Sequence, residues 1–371
     1  MNKREIAEIK KINKFSSDGC TIGRMCVCYV DAGKNIILKD RDAFFSLPED
    51  EIFKYWEILR KGLSGKLGKN LLSREIKREA EEPGGSQELL MKLRDSALKD
   101  DESLDKFYEN VIANYDHSGN YMILLVYGAY DIPGKATDNT ALYDASDEVY
   151  RYVQCCICPV DLSKSGISYN DKSRVFEASQ RNWMVGDPDT GFLFPAFNDR
   201  STDIHSILAY AKKEHNPQFC ENVMGCSCLL DAGSQNSAFW GLIENIFNTS
   251  LNFEVVKSIR QCIRDTMESG EDSGEPVILT KERADVIVST CGDDEQIKAF
   301  SDAWDCLVGE ETLLANNLLE KDLKIKFPGG AGTVKIADEY QDIASIRIIE
   351  GRKCFVVELE DSVQVNGITV S

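Results

Sequence analysis

The chain has 371 residues, 43% hydrophobic and 28% charged, an ordinary globular composition that excludes a disordered chain. Its formal net charge of −19 at pH 7 puts it at a disadvantage against nucleic acid and anionic membranes, because counterion release needs Lys and Arg at the phosphates. Thirteen cysteines in so long a chain, with no apolar h-region in residues 1–15, read as reduced thiols of a cytoplasmic protein rather than as a secreted disulfide scaffold. No stretch reaches the roughly 18 apolar residues that a membrane helix needs.

In chain order, residues 2–13 predict a short helix with Ile6, Ile9 and Ile12 on one side. Residues 24–30 read as a strand and 35–38 as its hairpin partner. Ser46, Leu47, Pro48 and Glu49 have the form of a capping box, so a helix is expected to about Lys61, with Phe53, Trp56, Ile58 and Leu59 as its apolar content. A glycine-rich basic stretch, 61–69, ends it, and a charged strand or turn follows at 70–79. Helices are expected from Ser86 to about Leu98 and over 102–114. The apolar runs 121–127 and 149–160 predict two central strands. Residues 182–185 and 191–197 read as a hairpin across 186–190. A helix is expected to start at Ser201–Asp203 and run to about Lys213. Later helices fall at about 236–248, 253–268, 281–290 and 294–307, with the best linker at 269–276. Beyond Lys324, short strands at 332–336, 343–349, 354–359 and 363–370 suggest a β-meander.

Four places carry candidate chemistry. Cys26 and Cys28, Cys155, Cys156 and Cys158, and Cys220, Cys226 and Cys228 offer thiolates to a metal, yet zinc sites usually show Cys-x2–4-Cys knuckles and the three histidines have no ligand spacing. Buried cysteine in packed strands explains them more simply, and no metal or other cofactor is expected. The stretch 61–69 could cradle a phosphate or nucleic acid with Lys61, Lys66 and Lys69, but it fails the Walker pattern and follows a helix. A helix C-terminus and loop account for it. The segment 187–191 is half of a calcium loop without the closing Glu, and a hairpin turn accounts for it. The most site-like patch is Arg200, Ser201, Thr202, Asp203 and His205, where the expected helix start would present free N–H groups to an anion beside a guanidinium. Ordinary capping by Ser201, Thr202 and Asp203 is the simpler account. Gly-x-Ser-x-Gly and His-Glu-x-x-His are absent.

Several sequence blocks are specific when taken together: Leu63-Ser64-Gly65-Lys66-Leu67-Gly68-Lys69-Asn70-Leu71, Leu93-Arg94-Asp95-Ser96-Ala97-Leu98-Lys99-Asp100, Asp144-Ala145-Ser146-Asp147-Glu148-Val149, and Gly191-Phe192-Leu193-Phe194-Pro195-Ala196-Phe197-Asn198-Asp199-Arg200-Ser201. With Cys156-x-Cys158-Pro159-Val160 they resemble the bacterial domain-of-unknown-function family 4317 over nearly the whole chain. That resemblance implies a cytoplasmic bacterial protein and supplies no activity. The order of helices, strand and terminal β unit is also somewhat similar to the bacterial nucleoid-associated protein family, without a diagnostic motif. That likeness would require a basic stripe, drawn from Lys61, Lys66, Lys69, Arg74, Lys77 and Arg78.

The expected fold is α+β: a largely antiparallel central sheet with flanking helices in residues 1–250, a helical segment over 251–322, and a small β unit over 323–371. The expected function is that of a non-enzymatic interaction or regulatory protein with a protein partner, homo-oligomerisation being left open. A nucleoid-associated role and an enzyme or anion-binding role near residues 198–205 are the alternatives. No membrane association is expected.

Overall fold

The computed structural model describes residues 1–12, 20–42, 47–135, 141–142, 148–178, 181–227, 232–269, 276–307, 313–320, 322–359, 362–365 and 368–370. Two compact units divide it, Met1–Leu229 and Leu230–Ser371. The fold is α+β, as expected.

The first unit is built on an eight-stranded sheet in which every pairing is antiparallel. Its strands are β1 (Cys20–Val30), β2 (Ile36–Asp42), β3 (Leu71–Glu75), β4 (Asn120–Ile132), β5 (Glu148–Leu162), β6 (Trp183–Val185), β7 (Thr190–Phe194) and β8 (Ser206–Ala211). Their order is β2-β1-β4-β5-β7-β8-β3, with β6 pairing β5 beside this path. The two apolar runs expected at the centre are there: β4 and β5 pair from Asn120↔Val160 to Ile132↔Glu148, and residues 121–126 and 152–158 are all buried. Both faces are covered, so these strands read as continuous apolar runs rather than as an alternation.

Strand alternation sorts the side chains between two faces. On one face Met122, Leu124, Val126, Cys156, Cys158 and Val160 pack beneath α2 (Glu49–Lys61), which buries Ile52, Trp56 and Leu59 at helical spacing. Further along this face α1 (Lys3–Ile12) sets Ile6, Ile9 and Ile12 on Tyr130, Tyr150 and Tyr152. Asn2 caps α1 by accepting from the Arg4 and Glu5 amides, and Glu5 accepts from the Asn2 amide in return. The opposite face carries Cys155 and its neighbour across the ladder, Phe192. Phe192 meets Phe107 of α4 (Asp101–Asn114) edge-on at 6.1 Å, with α3 (Ser86–Asp95) beside α4. The residue at the N-cap of α2 is Pro48, which has no side-chain cap bond; Ser46 of the expected capping box lies outside the described residues.

Two expectations fail between residues 182 and 213. Residues 182–185 and 191–197 do not pair with each other: β6 and β7 run one after the other along the same edge of β5. The helix expected from Ser201 is instead a strand, Ser201–Asp203, which pairs with Ala196–Asn198, followed by β8. Residues 206–211 are buried throughout, and a helix cannot bury every consecutive side chain against one sheet. Asp199 and Arg200, both at positive φ (51° and 57°), make the tight turn of the small hairpin.

In the second unit α5 (Ala232–Phe247), α6 (Phe253–Glu268), α7 (Lys281–Ser289) and α8 (Asp294–Leu307) surround a core that includes Phe239, Ile243, Ile259, Ile263, Ile287, Phe300 and Trp304. Asn252 and Thr280 cap α6 and α7 through their side chains. The helix Ala232–Phe247, which the sequence groups with the main domain, has its buried residues in this core. The expected meander is a set of separate hairpins instead: Asp322–Lys326 with Thr333–Ala337, Ala344–Ile349 with Arg352–Val357, and Val363–Val365 with Ile368–Val370. Among the described residues no helix is long and apolar enough to cross a membrane.

Candidate functional site

A cleft of about 980 Å³ opens along the exposed side of α2. Its position follows from the layering: α2 must turn Ile52, Trp56 and Leu59 to the sheet, which leaves Asp50, Lys54, Glu57 and Lys61 facing water. Gln154, buried in β5, fixes the end of the helix by donating through Nε2 to the Leu59 carbonyl at 2.8 Å. Gly62 then closes the helix where no side chain fits, since a Cβ there would lie 2.6 Å from Cys156 Sγ. Ile58 and Met122 line the cleft on one side, and Met184, Val185 and Gly186 of the β6 end line it on another. Cations and acids share the rim. Lys61 Nζ meets Asp187 Oδ1 at 2.6 Å, and Lys54 meets Glu57 at 3.1 Å. Both pairs are exposed and add little stability. Lys10 and Arg60 add positive charge, and Asp50 and Glu51 negative charge.

The cleft takes in one predicted site residue, Lys61, and not Lys66 or Lys69. The loop around those two is knitted to itself: the amides of Lys69, Asn70 and Leu71 all donate to the Lys66 carbonyl, and Asn70 Oδ1 accepts from the Lys66 amide. Gly65 and Gly68, at φ 111° and 86°, permit this close turn. The amides of Lys66, Lys69, Asn70 and Leu71 are therefore spent within the loop. In the expected basic stripe Lys77 is paired with Glu221 at 3.1 Å, as Lys61 is with Asp187, and Arg74 is half-buried in β3.

The patch at 200–205 is not a helix start, so the anion argument built on free N–H groups lapses. Arg200 Nη2 donates to Glu8 Oε1 at 2.9 Å, and Tyr130 donates its hydroxyl proton to the same oxygen. Ser201 Oγ and the Thr202 amide donate to Glu148, and Asp203 accepts from Asn198 and from the His205 amide. The group ties the small hairpin to α1 and β5. His205 turns away from it and places Nδ1 2.7 Å from Glu81 Oε1 at the surface, and this contact raises its pKa. The charged pair holds below the ordinary histidine value and is lost as pH rises through the raised one. An NMR titration is expected to place His205 above 6.5 and Glu81→Gln to bring it back; equal titration in both proteins would refute the contact.

A family described as Domain of unknown function (DUF4317) matches residues 1–368. The chain belongs to that family. No curated protein and no solved structure matches it.

The cysteines of this DUF4317 chain are divided by the sheet itself. Cys26 and Cys28 face the Phe192 side, as Cys155 does, whereas Cys156 and Cys158 lie beneath α2. Adjacent residues on a strand point to opposite faces, so the Cys155-Cys156-x-Cys158 run cannot pool its thiols. Burial pushes the Cys26 and Cys28 thiols up to about 11 and Cys156 to about 12, and raises Cys155 and Cys158 well above the ordinary thiol value too. They stay protonated, the wrong state for a nucleophile or a metal ligand. Cys220 and Cys226 are buried beside β3 and α4, and Cys226 bridges Ile76; Cys228 lies outside the described residues. No group of three or more metal-ligating side chains occurs among the described residues. Asp187 and Asp189, the half calcium loop, are occupied by Lys61 and the Tyr115 hydroxyl.

The cleft itself went unseen in the sequence. Its one visible signal was Trp183-Met184-Val185, an apolar triplet with no alternation at a strand end.

Proposed function

We propose that the chain is a bacterial, cytoplasmic, non-enzymatic interaction protein that holds a polypeptide partner at the cleft between α2 and the end of β6. One observation carries this reading: the cleft joins a rim of both charges to exposed apolar side chains, Met184 and Val185, at the end of the sheet. Interfaces combine an apolar centre with a polar rim in this way. Four of the rim charges are engaged with one another, Lys54 with Glu57 and Lys61 with Asp187, rather than aimed at a reacting atom, and no histidine or cysteine is among the residues lining the cleft. The protonated, buried thiols support the cytoplasmic part of the reading, and the family resemblance supports the bacterial part.

The test compares the wild-type chain with Lys54→Glu/Arg60→Glu, two exposed substitutions that leave the core intact. Tagged protein in lysate at moderate salt is expected to retain a stoichiometric partner, including an untagged copy of itself, and the variant to lose at least about tenfold in retention, the scale of a disrupted charged rim. Capture of nothing, or equal capture by both proteins, would remove the reading.

A further inference from the structure

We propose that Cys262 and Cys291, at the rim of the second unit's core, are an oxidisable dithiol that hydrogen peroxide converts into a reversible disulfide. The proposal stands apart from the cleft, since both residues lie in the second unit.

Exposure separates the thiols of this chain. Seven of the ten described cysteines are buried, and three are half-buried: Cys262, Cys291 and Cys354. Oxidation follows access to solvent, so the buried thiols are shielded from a dissolved oxidant. Two of the three half-buried ones meet.

Helix periodicity brings them together. α6 turns Ile259 and Ile263 into the core, and α7 turns Ala284, Ile287 and Val288 into it. Cys262 lies at the border of the buried stripe of α6, and Cys291 follows the end of α7 at Ser289. Both pack against the same core. Thr290 joins them. Cys262 donates its S–H to Thr290 Oγ1 at 3.7 Å, and that hydroxyl is held by its own donation to the Ile287 carbonyl at 2.7 Å. Cys291 is the next residue, its Cα about 3.8 Å from that of Thr290. Its thiol donates to the Val288 carbonyl at 3.7 Å. Sulfur contacts of this kind are weak, so neither thiol is tied down against turning to the other. Burial raises the Cys291 pKa, and the nearby Cys262 sulfur adds to the rise against a hydrogen bond with Thr290.

The chemistry balances with peroxide as the oxidant. Cys262 gives its proton to water and its sulfur attacks one peroxide oxygen. The O–O bond breaks, and the departing hydroxide takes up a proton to become water. Cys262 is left as a sulfenic acid, which condenses with a neighbouring thiol. The Cys291 sulfur then attacks the Cys262 sulfur, the S–O bond breaks, and the leaving oxygen departs as water with the Cys291 proton. Two thiols and one peroxide become one disulfide and two waters. The linkage would bind the middle of α6 to the end of α7. Transient, redox-sensing disulfides of this sort are the kind found in reduced compartments.

Peptide mass spectrometry of the full chain without reduction, after brief treatment with dilute hydrogen peroxide, tests this. A Cys262–Cys291 linked peptide that has lost two hydrogens, and that dithiothreitol separates, is expected as the main oxidised species. Native alkylation before treatment is expected to label both residues, and after treatment to label neither. Cys262→Ser and Cys291→Ser should each abolish the linked peptide with unchanged circular dichroism, and Cys354→Ser should leave it. Sulfenic or sulfinic acid on either residue without the linkage, or a disulfide formed chiefly between other cysteines, would overturn the proposal.

Discussion

Phe192→Ala is expected to destabilise the first unit by about 3–5 kcal/mol, the range for removing a fully enclosed ring. The site explains why the cost should be high. Phe192 is 2% exposed, and its ladder neighbours are Cys155 on β5 and Ala209 on β8, two small residues that make room for the ring. Phe107 closes the space from α4. Removing the ring leaves a cavity walled by paired backbone on both sides, which cannot collapse without breaking ladder bonds. Hydrogen exchange of peptides from β4, β5 and β7 under rising denaturant reads the stability of this unit separately from the second. A loss below about 1 kcal/mol would show that the ring is not enclosed between helix and sheet, since ordinary surface substitutions stay near or below that scale.

The second large effect concerns acid. His215 is buried, and burial, with the nearby Arg74 guanidinium adding to it, lowers its pKa from 6.5 to about 4 against the opposing pull of backbone groups at Lys69 and Asn70. The folded chain therefore refuses a proton that the unfolded chain accepts. Stability is unaffected above the ordinary value, falls as pH drops below about 6.5, and has lost about 3 kcal/mol by pH 4 on this account alone. Carboxylates begin to titrate in the lower part of that window, so pH 7 against pH 5 is the cleaner comparison, with about 2 kcal/mol expected from His215. His205 acts in the opposite direction but is exposed. Denaturant midpoints at the two pH values should separate in the wild-type protein and draw together in His215→Gln. An equal separation in both would assign the acid sensitivity to other groups.

Both expectations depend on features that were unequally legible. The positions of β4 and β5 followed from two apolar runs with no polar interruption, which only a doubly covered strand tolerates. α2, α4 and the helices of the second unit followed from apolar spacing of three and four residues. The run 206–211 was misread because Ile207, Leu208, Ala209 and Tyr210 suit a buried helix as well as a central strand, and what decided was an open edge on β7 and another on β3. The same limit displaced the candidate site: Arg200 and its neighbours gained an anion-binding role from a helix that does not form, while the cleft depends on which side of α2 the sheet occupies.

By itself, then, the sequence determined the α+β class, the central strand pair, most helices and the family, because hydrophobic spacing and characteristic blocks are local properties. Only the tertiary structure decided the strand order, the partition of the cysteines between two faces, the partners of Arg200 and Glu8, and the cleft of Lys54, Arg60 and Met184. Those properties join residues far apart in the chain, and their energies depend on which surfaces meet rather than on any one segment.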